Sequence, residues 1–127
     1  MSVKKAFNSV RLGAVLNEPG LEGETYLTRA VKMGIPKVAK DFLELGADPD
    51  APNAAGEYPL FLALDRKDRR MMAELLKAGA SVFYKRDGLT FREAALKAGM
   101  TDVAKLAGRI EKDRAAMIKA MGLGVHI

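Results

Sequence analysis

The sequence predicts an all-α chain, a solenoid of stacked antiparallel helix pairs joined by hairpin-like turns and ended by a long C-terminal helix. Two observations lead to this fold class. The dipeptide Gly-Ala stands at Gly13-Ala14, Gly46-Ala47 and Gly79-Ala80, 33 residues apart, and a further glycine follows each pair, at Gly23, Gly56 and Gly88. Between these marks, apolar residues recur at helical spacing. Self-similarity at a fixed period of this size marks an array of units, each too small to bury its apolar face alone. The 127 residues are read as one domain, 1–127.

Residues 2–12 precede the first Gly-Ala pair and match Ile35 to Leu45 in the 33-residue frame. They are expected to form one helix with Val3, Ala6, Phe7, Val10 and Leu12 on its apolar side, so that 1–22 is an N-terminal capping half-repeat. Gly13 suits the left-handed residue that ends a helix. Asn17, Pro19, Gly20 and Gly23 then break the chain.

The first full repeat is 23–55. Its first helix spans about Tyr26 to Met33, with Leu27, Ala30 and Val31 on one face, Thr25 as N-cap and Gly34 as terminator. Pro36 opens the second helix, where no backbone donor is needed. That helix runs to about Leu45 with a stripe of Val38, Ala39, Phe42, Leu43 and Leu45.

The second repeat, 56–87, has Pro59 opening a helix with Leu60, Ala63 and Leu64, then a helix with Met71, Met72, Leu75, Leu76 and Ala78. The methionine pair is read as core. Lys67 replaces the glycine found at 34, and the turn from Ser81 to Asp87 is one residue shorter than its predecessor.

The modified C-terminal repeat is 88–121. Thr90 caps a helix carrying Phe91, Ala94, Ala95 and Leu96, and Gly99 ends it. The next helix begins near Thr101, with Val103, Leu106, Ala107 and Ile110 facing inward. Where its terminating glycine is due stands Glu111, and apolar spacing continues through Met117, Ile118 and Met121 to Gly122. One helix of about 20 residues is expected, followed by a tail at 122–127.

Composition bounds the function. Hydrophobic residues are 49% and charged residues 29%, as in soluble globular proteins. The apolar runs are too short for a membrane span, and the N-terminus lacks the apolar stretch of a secretory signal. With no cysteine, a cytoplasmic setting is expected. The net charge of +5 is uneven: residues 22–57 sum to −3 and residues 85–127 to +4.

The pattern resembles the ankyrin repeat. Gly23-Glu-Thr-Tyr-Leu-Thr-Arg-Ala-Val-Lys-Met-Gly34 and Gly56-Glu-Tyr-Pro-Leu-Phe-Leu-Ala-Leu match the first half of that unit; Leu43-Glu-Leu-Gly-Ala-Asp48 and Leu75-Leu-Lys-Ala-Gly-Ala80 match its close. Gly88-Leu-Thr and Ala95-Leu-Lys-Ala-Gly99 mark a third copy. The family's helix-start histidine is absent, with Thr28, Phe61 and Glu93 in its place. That histidine ties neighbouring turns by hydrogen bonds in the family, so its absence implies less rigid turns here. Arg92 takes the place of Leu27 and Leu60, and Gly108 that of Leu43 and Leu76, as suits a terminal unit.

The resemblance implies a protein-binding module with no enzymatic activity, acting through turn tips and the exposed side of the first helices. Carried over by position, the tips are Leu21, Glu22 and Glu24, then Ala54, Ala55 and Glu57, then Arg86, Asp87 and Leu89. The helix positions are Lys32 and Met33, Asp65 and Arg66, Lys97 and Ala98. The expected partner is another protein, with the chain a monomer and no membrane involved. The alternative is an anion or nucleic-acid binder using the basic C-terminal half, although no nucleic-acid motif accompanies it.

Phe83-Tyr84-Lys85-Arg86 reads either as an interface anchor or as aromatics folded under the shortened turn. Arg66-Lys67-Asp68-Arg69-Arg70 is favoured as a solvated loop over a phosphate site. Asp48 and Asp50 are favoured as turn formers over paired carboxylates. His126, the sole histidine, with no cysteine, makes neither a metal set nor a nucleophile pair, so no cofactor, metal or catalytic residue is expected.

Overall fold

A computed structural model describes residues 15–121; the expected N-terminal helix with Gly13, the tail at 122–127 and His126 lie outside the described residues. The described chain is mostly helical, as expected, with one two-stranded hairpin. It divides into two units, Met1–Ser81 and Val82–Ile127.

After helical residues at 15–17, the first unit has a 3-10 turn at Leu21–Gly23 and holds α1 (Tyr26–Met33), α2 (Pro36–Glu44), α3 (Pro59–Asp65) and α4 (Arg69–Lys77). Each helix packs on its hairpin partner, α1 on α2 and α3 on α4, and each pair packs on the other, α1 against α3 and α2 against α4. The core between them holds Leu27, Val31, Leu60, Leu64, Met71, Met72 and Leu75, all nearly inaccessible to solvent.

The helix starts follow the sequence. Thr25 Oγ1 accepts the Thr28 amide at 2.9 Å while Thr28 Oγ1 accepts the Thr25 amide at 2.8 Å, a reciprocal capping box at the head of α1. Thr28 thus spends its hydroxyl locally. Pro36 and Pro59 occupy first-turn positions of α2 and α3. Asp68 caps α4 through the Met71 amide at 3.0 Å.

The helix ends explain the repeated glycines. The amide of Gly34 bonds to Val31 O and that of Ile35 to Ala30 O. The same pair of bonds recurs at Gly46-Ala47, Lys67-Asp68, Gly79-Ala80 and Gly99-Met100. This closure needs a left-handed residue, which glycine adopts without a Cβ clash. In the Gly-Ala pairs the alanine that follows is buried, Ala47 at 5% and Ala80 at 0% exposure, so a larger side chain has no room.

Between the repeats a second contact recurs. The Asp48 amide donates to Asn17 Oδ1 at 2.7 Å, and one repeat later the Ser81 amide donates to Asp50 Oδ1 at 2.8 Å. Asp48 also accepts the Asp50 amide at 2.8 Å, so both aspartates shape turns.

The second unit contains β1 (Lys85–Arg86), β2 (Leu89–Thr90), α5 (Phe91–Lys97) and α6 (Thr101–Ala120). The strands pair antiparallel, Lys85 with Thr90 and Arg86 with Leu89. The linking Asp87 and Gly88 both have positive φ, as a two-residue hairpin turn demands. Thr90 caps α5, accepting the Glu93 amide at 3.2 Å while Glu93 Oε1 accepts the Thr90 amide at 3.0 Å. The 20-residue α6 has the expected length and packs on α5 through Val103, Ala104 and Ala107.

The expected apolar stripes need correction at their edges. Val38, Leu96 and Leu106 are exposed, and each neighbours a buried alanine, Ala39, Ala95 and Ala107. Alanine lets two helices approach closely. The larger residue one step away sits about 100° round the helix, off the contact line. Leu45 and Ala78 lie at helix C-caps and are also exposed.

Lys67 alone among the five helix-ending residues is not glycine, at φ 54. Lys67→Gly is expected to raise stability by about 0.5–1 kcal/mol, the relieved left-handed strain outweighing the added chain entropy. Thermal unfolding checks this, with no change in helix content. Thr90→Ala removes the α5 cap and is expected to cost about 1 kcal/mol in the same measurement.

Candidate protein-binding surface

On the first unit, four of the residues expected from turn and helix position meet in one connected cluster. Lys32, in the last turn of α1, sends its Nζ between two carboxylates, 2.7 Å from Glu24 Oε2 and 3.4 Å from Glu57 Oε1. Arg66, just past α3, reaches back and donates from Nη1 to Lys32 O at 2.9 Å. A guanidinium there neutralises carbonyls at the negative end of α1. Arg66 also covers Gly34, where a Cβ would collide with the guanidinium. Gly34 is therefore fixed both by its left-handed φ of 72 and by the space Arg66 takes.

The hub of this cluster is Asn53, which the sequence reading passed over. It is 4% exposed. Its Nδ2 donates to Glu57 Oε1 at 2.7 Å and to Glu24 Oε1 at 3.1 Å. Its Oδ1 accepts the amides of Ala55 and Glu57 at 3.1 and 2.9 Å. Beside it the Ala54 amide donates to Gly23 O at 2.8 Å. These bonds join the tip of the first repeat to the tip of the second. The one sequence signal for Asn53 was its place in a turn, where asparagine bonds backbone two and more residues on.

The electrostatics follow from these contacts. Partial burial pushes the Glu24 carboxyl upward, but hydrogen bonds from Lys32, Asn53 and Thr28 outweigh it and hold the group below its ordinary value. Asn53, and then Lys32, hold Glu57 below its ordinary value despite some burial. Lys32 is raised, chiefly by its bond to Glu24.

The remaining expected residues are placed as follows. Glu22 is exposed and faces Arg29 at 3.8 Å. Leu21 lies in the 3-10 turn. Met33 is 61% exposed beside Lys32, and Asp65 is exposed at the end of α3. On the second unit, Arg86 and Leu89 pair across the hairpin and Lys97 is exposed at the end of α5. Phe83 and Tyr84 are 48% and 41% exposed, so neither is folded fully under the turn.

The basic run after α3 is not a free cluster. Arg66 is turned onto α1, Lys67 holds the left-handed turn and Asp68 caps α4. Among the described residues no helix is long and apolar enough to cross a membrane. Neither protein-family models nor curated proteins match the chain.

Asn53→Ala strips four hydrogen bonds from a buried site and is expected to cost about 1–3 kcal/mol, read by chemical denaturation. The carboxylates set a pH dependence. Their lowered values mean that the contribution is complete above the ordinary carboxylate range and disappears as pH falls through the lowered values. The gap in melting temperature between the natural protein and Glu57→Gln is therefore expected to be open at neutral pH and to close as the pH falls below the ordinary carboxylate range.

Proposed function

We propose that the chain is an ankyrin-repeat protein with no chemistry of its own, which binds another protein through its turn tips and first-helix face. The observation that carries this reading is the joining of Glu24, Lys32, Glu57 and Arg66 into one exposed surface through the buried Asn53. Its charges already hold one another in place. A partner therefore meets a set surface and does not have to order it, which favours rigid recognition. The recurring 33-residue motifs support the family assignment, as do the pairwise packing of α1 on α3 and α2 on α4 and the repeated bond between successive turns. The ion pairs are satisfied within an open face and do not converge on an enclosed cavity, which favours binding over catalysis. A monomer in the cytoplasm is the setting this reading assumes.

Met33 projects from this face without taking part in the network. Met33→Asp is expected to leave the fold intact, read by circular dichroism, and to weaken the partner at least tenfold if Met33 lies in the interface core. Glu57→Lys combined with Arg66→Glu is expected to do the same while disturbing the network itself. Affinity capture from native lysate at two salt concentrations, followed by titration of the purified partner, measures both. Recovery of nucleic acid alone, released by salt and indifferent to all three substitutions, would overturn the reading in favour of the basic C-terminal half.

A further inference from the structure

The second unit carries a groove that the turn-tip reading does not use. Its walls are α5 and the middle of α6. The buried contact between them uses Phe91, Ala94 and Ala95 on one side and Val103 and Ala107 on the other. One step round, α5 presents Arg92 and Leu96, four residues apart on one face, and α6 presents Gly108 and Ala115, with the buried Ala104 at the end of the floor. These line two adjoining depressions that share Arg92 and Gly108, the larger of about 670 Å³, with Phe83 at its side. Phe83 and Leu96 are each about half exposed, at 48% and 49%.

Gly108 is unusual where it stands. A glycine inside a helix costs about 1 kcal/mol relative to alanine. Here its missing side chain sets the depth of the groove and leaves room for Arg92. An added Cβ would lie 3.2 Å from Arg92 Cδ. Arg92 is in turn held by Glu111 at 3.3 Å.

The rim is one-signed. Lys105, Arg109 and Lys112 border the groove beside Arg92, and Glu111, already engaged with Arg92, is the lone acid among the lining residues. The floor from Ala104 to Ala115 covers about 16 Å of helix axis, or three turns. A shallow apolar trough of that length with cationic edges matches an amphipathic helix whose apolar stripe enters the trough and whose flanks are acidic.

We propose that the groove between α5 and α6 is a second docking site, and that its occupant is an acidic amphipathic helix of a partner protein. Phe83 and Leu96 take the apolar stripe, the Arg92 stem laid over Gly108 forms the floor between them, and Lys105, Arg109 and Lys112 pair with carboxylates of the docked helix.

The test uses the full chain and a synthetic helix of about 18 residues, roughly five turns, with leucines along one face and glutamates on both flanks. Controls are the same peptide with lysine for glutamate, and an acidic peptide of the same composition with its leucines scattered. Binding is read by fluorescence anisotropy and by amide shifts in a nitrogen-15 spectrum. The expected result is binding of the first peptide alone, with shifts at Leu96, Ala104, Gly108 and Ala115. Gly108→Leu, which fills the floor, and Arg109→Glu with Lys112→Glu, which reverses the rim, are each expected to weaken it at least tenfold. The second variant touches only exposed side chains and keeps the test valid if the first fails to fold. Met33→Asp, in the first unit, is expected to leave peptide binding unchanged.

Several results would overturn the proposal. They are equal binding of the lysine peptide, equal binding of the scattered peptide, shifts confined to other residues, and groove shifts produced by phosphatidylserine vesicles but not by the acidic helix. Dimerisation in sedimentation that Gly108→Leu abolishes would equally overturn it, by assigning the groove to a second copy of this chain.

Discussion

Short helices must be held from outside, and that constraint organises this chain. Apart from α6, the helices α1 to α5 among the described residues run seven to nine residues. Isolated helices of that length do not persist in water, because nucleation costs more than so few bonds return. They survive here because each is closed by the same left-handed turn and then laid against its neighbours. After Gly34, Lys67 and Gly99 the next helix begins within two residues and packs on the one before it. Gly34, Gly46, Lys67, Gly79 and Gly99 are one structural device used five times. Lys67 shows that the geometry matters more than the residue, since lysine is held in the same left-handed region.

Stacking places turn tips side by side, and the polar groups there must then be satisfied. Asn53 does this for the first two tips. It is buried, yet all of its hydrogen-bonding capacity that the contacts require is met by Glu24, Glu57 and two backbone amides. A buried amide of this kind is costly unless fully paired and rigidifying when it is. The exposed charges above it inherit that rigidity. Lys32 sits between two carboxylates whose positions are set from below, and Arg66 closes the arrangement on the end of α1. The proposed binding face is thus a by-product of how the turns are tied.

The second unit departs from the pattern where the sequence does. Glu111 replaces a terminating glycine, and α6 runs on to 20 residues. Past Ala107 none of its described residues is fully buried. Met117, Ile118 and Met121 are exposed there. Arg92 and Gly108, which stand where earlier repeats carry leucine, open a groove instead of filling a core.

The sequence by itself determined the helical class, the helix ends and the caps. Those features are local: a left-handed turn needs glycine, a first helical turn accepts proline, and a threonine or aspartate ahead of an apolar run accepts an orphan amide. Hence Thr25, Gly34, Pro36, Pro59, Thr90 and Gly99 were all legible. Other features were decided only by the tertiary structure. Asn53 as hub was invisible, because its partners include Glu24, 29 residues away, and no local pattern joins them. Exposure of Val38, Leu96 and Leu106 was also hidden, since periodicity gives a helix an apolar side but not the width of the contact that covers it. That width depends on how closely two backbones approach, and small residues such as Ala39, Ala95 and Ala107 set it only once a neighbour is in place.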